Sequence, residues 1–215
     1  MIVFSWLLII AGILLPVLMF IFKSRHVVIN FVFLFSPLIN IILVAIGVVN
    51  NSYLIYENEK IGKLLFIICI SEVSLTVIYL IYYACLKGIA FISSENDWSN
   101  RGPKFELVLL ILMIIGLLLL PNIAFAMLYN FWGILFIKGY ELFLGDYIYY
   151  AFSIIYSLPI FGDSAKFQEY VGLNDLLRVV QMIHVLISKI IEFIVIGFII
   201  GKVASLIQEK LLTRN

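Results

Sequence analysis

The sequence predicts an all-α integral membrane protein with five transmembrane helices and a re-entrant half-helix between the fourth and the fifth. Three observations predict it. Of 215 residues, 64% are apolar, whereas soluble domains run closer to half. Several apolar runs exceed the roughly 20 residues a helix needs to cross a bilayer. A further apolar and aromatic stretch, 146-DYIYYAFSIIY-156, is too short to cross and has the length of a re-entrant or interfacial segment.

The first crossing is expected over Ile2 to Phe22, closed by Lys23-Ser24-Arg25-His26. It lacks a basic n-region and a small-residue cleavage site, so it reads as a retained helix rather than a signal peptide. The second runs from Val27 to Val49 and stops at the turn-forming Asn50-Asn51-Ser52. The third runs from Ile61 to Leu86. Residues 1–92 thus form a three-helix membrane region, and the polar run 93-SSENDWSNRGPK-104 is a cytoplasmic connection. The fourth helix starts near Phe105 and extends towards Ile137, long enough to require a tilt or a bend near Pro121-Asn122. The fifth, Asn174 to about Gln208, is the longest uninterrupted helical pattern. With the N-terminus outside, the cytoplasmic side collects Lys23, Arg25, Lys87, Arg101, Lys104, Lys202, Lys210 and Arg214, against Lys60, Lys63, Lys138, Lys166 and Arg178 outside. Eight basic residues against five, the latter set among acids, favour N-out and C-in.

Composition excludes several classes of function. A net charge of +1 supplies no basic field for nucleic acid. Cys69 and Cys85 share one apolar run and form neither a CxxC motif nor a disulfide framework, so packing is their expected role. His26 and His184 lie in different segments, which leaves no zinc spacing. No Walker loop, dinucleotide fingerprint or nucleophile elbow is present. Gly162-Asp163 matches the end of the G-x-G-D of membrane aspartyl proteases. However, Ile160 replaces the first glycine, and no second membrane aspartate could share a proton. No enzyme, metal or cofactor is expected.

Asp146, preceded by Gly145, is a candidate N-cap for a half-helix over 146–157. The chain then breaks at Ser157-Leu158-Pro159 and ends in Phe161-Gly162-Asp163. Non-helical backbone at membrane depth survives only when buried in protein or lining water, so 157–163 are expected to form a protein-walled constriction. Helix, half-helix, broken loop and helix is the plan of a pore-loop channel. The residues 150-YAFSIIYSLPIFGD-163 resemble the pore helix and filter of the potassium-channel superfamily, which read like Y-F-S-x-x-T-x-T-T-x-G-Y-G-D. Tyr150 matches the leading aromatic, Ser157 a filter-entrance Thr, Phe161 the filter Tyr, and Gly162-Asp163 the closing Gly-Asp. The last helix, ending 197-GFIIGKVASLIQEK-210, looks like the family's inner helix with its spaced glycines and basic tail. The likeness covers residues 105–215. It implies an outer helix, a pore helix over 146–157, a constriction over 157–163, an inner helix over 174–208, and a homotetramer.

The departures are specific. The family's filter needs glycines whose positive φ aims successive carbonyls at the ion. Here Ile160 holds the first glycine position and resists positive φ. Pro159 fixes its own φ and removes an N–H, and Leu158 replaces a Thr hydroxyl. The resemblance therefore implies a non-standard filter, one that is wide and poorly selective, altered in preference, or closed.

On the last helix, Asp175, Arg178, Gln181, His184, Ser188, Lys189 and Glu192 fall within about half of the helical circle at 100° per residue, with Gly197 and Gly201 near the opposite side. Lys189 and Glu192 are three apart and can pair. Two readings stay open: a neutralised pair at a helix interface, or an ion pathway that uses Glu192, His184 and Ser188. His184 is either a hydrogen-bonded core residue or a pH sensor, and Gly197 and Gly201 serve close packing or a hinge. Glu72, alone in 71-SEVSLT-76, is expected to be protonated, to snorkel, or to find an interhelical partner such as Lys189. Glu141, Asp146, Asp163, Glu169 and Asp175 either ring a mouth or are ordinary solvated charges.

These residues favour an oligomeric pore that passes ions passively, chiefly cations with poor or altered selectivity. The alternative is a non-conducting scaffold or accessory subunit that anchors another membrane or cytoplasmic protein. The first three helices carry no Arg-every-third-residue pattern, so voltage sensing is not expected.

Overall fold

The computed structural model describes residues 2–21, 39–49, 59–93, 103–137 and 142–212. Among them the chain is all-helical, with seven helices and no strand. These are α1 (Ile2–Ile21), α2 (Ile39–Val49), α3 (Glu59–Ser93), α4 (Pro103–Phe136), α5 (Leu144–Tyr156), α6 (Asp163–Leu173) and α7 (Asp175–Leu212). Three stretches are long and apolar enough to cross a membrane: Glu59–Tyr79 in α3, Ile114–Phe136 in α4 and Asp175–Gly201 in α7. This is a membrane protein. Shorter apolar helical stretches, Val3–Leu14 and Ile39–Val49, stand where the first two crossings were expected. Residues 27–38 of the second expected crossing and 94–102 of the polar connection lie outside the described residues.

Small residues set the contact between α1 and α2. A methyl group on Gly12 would lie 2.9 Å from Asn40 Oδ1, and one on Gly47 would lie 2.8 Å from the Ser5 carbonyl. At Gly47 the near atom is backbone, which cannot move aside, so that position takes glycine alone. α3 meets α4 through Phe66, whose ring is edge-on to Trp132 at 4.7 Å.

α4 is the spine, touching α3, α5 and α7. It runs unbroken through Pro121. Pro121 has no N–H, so the Leu117 carbonyl loses its intrahelical donor. Tyr147 of α5 seats its hydroxyl against Gly133 of α4, where no side-chain atom would fit.

α5 begins at Leu144, two residues before the expected start. Asp146 is not the N-cap. It lies in the first turn, and its carboxylate accepts the Phe143 N–H at 3.0 Å, serving the helix end from inside. α6 was not foreseen. Its Ser164, Phe167 and Val171 are buried, and Phe167 packs edge-on against Tyr129, Tyr147 and Tyr150 with ring centroids 5.0–5.7 Å apart.

α5 and the residues after it form a hairpin. The 13-residue helix is about 20 Å long at 1.5 Å per residue. Beyond Tyr156 the chain turns back without helical structure. The Tyr149 hydroxyl donates to the Pro159 carbonyl at 2.6 Å, and the Tyr149 and Phe161 rings lie 5.5 Å apart. The Ser164 hydroxyl then donates to the Asp146 carbonyl at 3.1 Å. The return limb thus runs antiparallel to α5 and ends where the helix began.

Candidate functional site

The hairpin tip is a backbone device. Ser157 closes α5 in the left-handed region at φ 54°, and the Leu158 N–H caps the Ser153 carbonyl at 3.0 Å. Gly162, at φ 66° and ψ −138°, starts α6 in a conformation only glycine adopts readily. Between them, Leu158, Pro159, Ile160 and Phe161 carry no positive φ. This backbone therefore does not aim successive carbonyls one way as a glycine-rich filter does, and the Pro159 carbonyl is already occupied by Tyr149. Leu158, Pro159 and Phe161 are exposed, while Ile160 turns towards the core.

Behind the hairpin lies a buried polar node that the sequence reading only half identified. Asn122 donates from Nδ2 to the Leu118 carbonyl at 2.6 Å, which fixes its amide orientation. Its Oδ1 is 2.9 Å from His184 Nε2 and 3.4 Å from the Ser188 hydroxyl. An amide oxygen only accepts, so Nε2 carries the proton. Nδ1 then accepts from the Tyr129 hydroxyl at 3.3 Å. Phe125 stacks on the imidazole at 4.4 Å. The neutral ring is thereby satisfied at both nitrogens, deep inside the chain's own core. Asn122 and Tyr129 were missed. Their seven-residue spacing puts them on one face of α4, the only available signal.

The expected polar stripe of α7 therefore divides. His184 and Ser188 turn into the node and are buried, while Lys189 and Glu192 stay at the surface of the chain. Lys189 Nζ lies 2.8 Å from Glu192 Oε2, with side chains 46% and 27% exposed. The considered Glu72–Lys189 pairing is not made, because Lys189 is engaged along its own helix. Glu72 keeps one buried carboxylate oxygen without a hydrogen-bond partner. Gly197 faces open space, so it seats no neighbouring helix of this chain, and Gly201 is half-buried.

Hairpin and α7 meet at mid-span. A small recess with room for about one water molecule is lined by Leu117, Pro121 and Asn122 of α4, Tyr156 of the tip, and Ser188 and Glu192 of α7. Ser188 lies 13 residues beyond Asp175, about 20 Å along the helix. That distance equals the length of α5.

At the other end of the hairpin, Asp163 pairs with Lys166 at 2.8 Å and Asp175 with Arg178 at 2.6 Å. The Asp163 carboxylate, by hydrogen bond and charge, raises the Lys166 ammonium above its ordinary pKa. Two of the expected mouth acids thus carry their own counter-ion. Glu141 lies outside the described residues. Among the described residues no three His, Cys, Asp or Glu side chains gather into a metal site. Comparison with family models, curated proteins and solved structures finds no match.

Proposed function

We propose that this chain is one subunit of an oligomeric membrane pore, built on the plan of the potassium-channel superfamily but with a non-standard filter, that passes ions passively. In this reading α1 to α4 and α7 are the five crossings, with the N-terminus outside and the C-terminus in the cytoplasm. α5 dips to mid-membrane, residues 157–163 return along it as the constriction, and four copies share the axis.

The observation that carries the reading is the hairpin: a helix half a span long whose tip lies beside the middle of α7 and whose return limb ends where the helix began. A limb with unpaired backbone at that depth needs protein or water around it. The surface position of Lys189 and Glu192 points the same way. Charges at a bilayer centre cost roughly 2.5–3.5 kcal/mol each on insertion scales, so their face is turned to water or to another copy.

The test is planar-bilayer recording of purified protein. A Phe161→Cys variant, in a Cys69→Ser/Cys85→Ser background, is exposed to a water-soluble thiol reagent. Discrete current steps that the reagent reduces are expected. Absence of current from an intact, reconstituted oligomer overturns the reading. One observation favours a second reading, a non-conducting scaffold: Tyr149 occupies the Pro159 carbonyl and no positive φ follows until Gly162. A stable oligomer that never conducts is the result expected from it.

A further inference from the structure

Lys189 and Glu192 are the only formal charges on α7 between Arg178 and Lys202. They sit at mid-span and remain at the protomer surface. They also sit beside the hairpin tip. Glu192 shares the recess with Tyr156, and Lys189 is bound to Glu192. The exposed side chains nearest them along the same helix, Leu186, Ile190 and Phe193, are apolar. No other formal charge on α7 therefore contributes at this level. The ammonium is 2.8 Å from the carboxylate, close enough to cancel most of its field at the range of an ion on the axis.

We propose that Lys189 is the specificity-determining residue of this pathway: by neutralising Glu192 beside the tip, it holds the pore near indifference between small cations and small anions. This rests on the pore reading and refines it, since Glu192 alone would favour cations. Removing Lys189 leaves one unscreened carboxylate per copy around the axis. Removing Glu192 leaves one ammonium per copy. The two changes must therefore shift ion preference in opposite directions, which a pair that merely fastens helices would not do.

The experiment measures reversal potentials across a potassium chloride gradient for wild type, Lys189→Gln, Glu192→Gln and the charge-swapped Lys189→Glu/Glu192→Lys protein. Choline and gluconate substitutions identify the carrier ion. Lys189→Gln should raise the cation-to-anion permeability ratio by on the order of ten-fold, Glu192→Gln should lower it by a similar factor, and the swap should return near wild type. Conduction in all four proteins with an unchanged ratio overturns the inference and leaves the pore reading intact. No conduction in any of them overturns the pore reading, and the inference with it. Oligomeric state in detergent, compared across the four, separates either outcome from failed assembly.

Discussion

At position 184 an imidazole meets one acceptor and one donor, and the two together choose its tautomer. His184→Leu should lower stability by about 1–3 kcal/mol, because Asn122 Oδ1 and the Tyr129 hydroxyl each lose a buried partner. Thermal unfolding in detergent measures this. A double-mutant cycle with Asn122→Leu should show the two losses to be coupled by about 0.5–2 kcal/mol rather than additive. At Gly162 the constraint is backbone alone: added side-chain atoms find open space there, but φ is +66°. Gly162→Ala should cost about 1–3 kcal/mol, because φ +66° with ψ −138° is a conformation nearly restricted to glycine, read as a fall in melting temperature. Both effects show what a sequence can and cannot reveal at this scale. The histidine's place on a polar stripe was legible from helical periodicity. Its partners were not, because Asn122 and Tyr129 lie some sixty residues away on α4, and nothing local marks which side of the stripe turns inward.

At the scale of elements, α5 was legible because an aromatic and apolar run bounded by Gly145-Asp146 and Pro159 has few other outcomes. Its start shifted by two residues because an aspartate in the first turn can serve the helix end as well as one before it. α6 was hidden for a physical reason. An 11-residue helix is shorter than the roughly 12–15 residues that make an isolated helix even marginal in water. It forms by docking Phe167 among Tyr129, Tyr147 and Tyr150, residues on two other helices. Phe167→Ala should therefore cost about 3–5 kcal/mol, with loss of amide protection concentrated in residues 163–173. For the return limb, Tyr149→Phe removes the hydrogen bond to the Pro159 carbonyl. Faster hydrogen exchange at 157–162, with α5 itself unchanged, is the expected result.

For the whole molecule, the membrane character followed from composition, and three helices long and apolar enough to span a bilayer carry it. Whether copies assemble is not legible in the periodicity of one chain, because a lipid-facing and a subunit-facing surface are apolar alike. α7 exposes Met182, Leu186, Phe193 and Ile200, and that face accommodates either neighbour. Proximity cross-linking in native membranes should trap fourfold products through cysteines placed at these positions, in the background lacking Cys69 and Cys85. Cross-links confined to dimers, or none at all, would remove the fourfold axis from the proposal.

Because Ser164 fastens to the backbone of Asp146, the hairpin is closed at its neck as well as turned at its end. The five residues from Ser157 to Phe161 hang from an anchored ring rather than tethering one helix to another. Exposed positions of that loop, Leu158 and Phe161, should therefore accept substitution while amide protection in α5 and α6 stays unchanged, whereas Pro159 and Ile160 hold it to the scaffold. A short anchored neck thus separates the fixing of the segment from the chemistry its exposed side chains display.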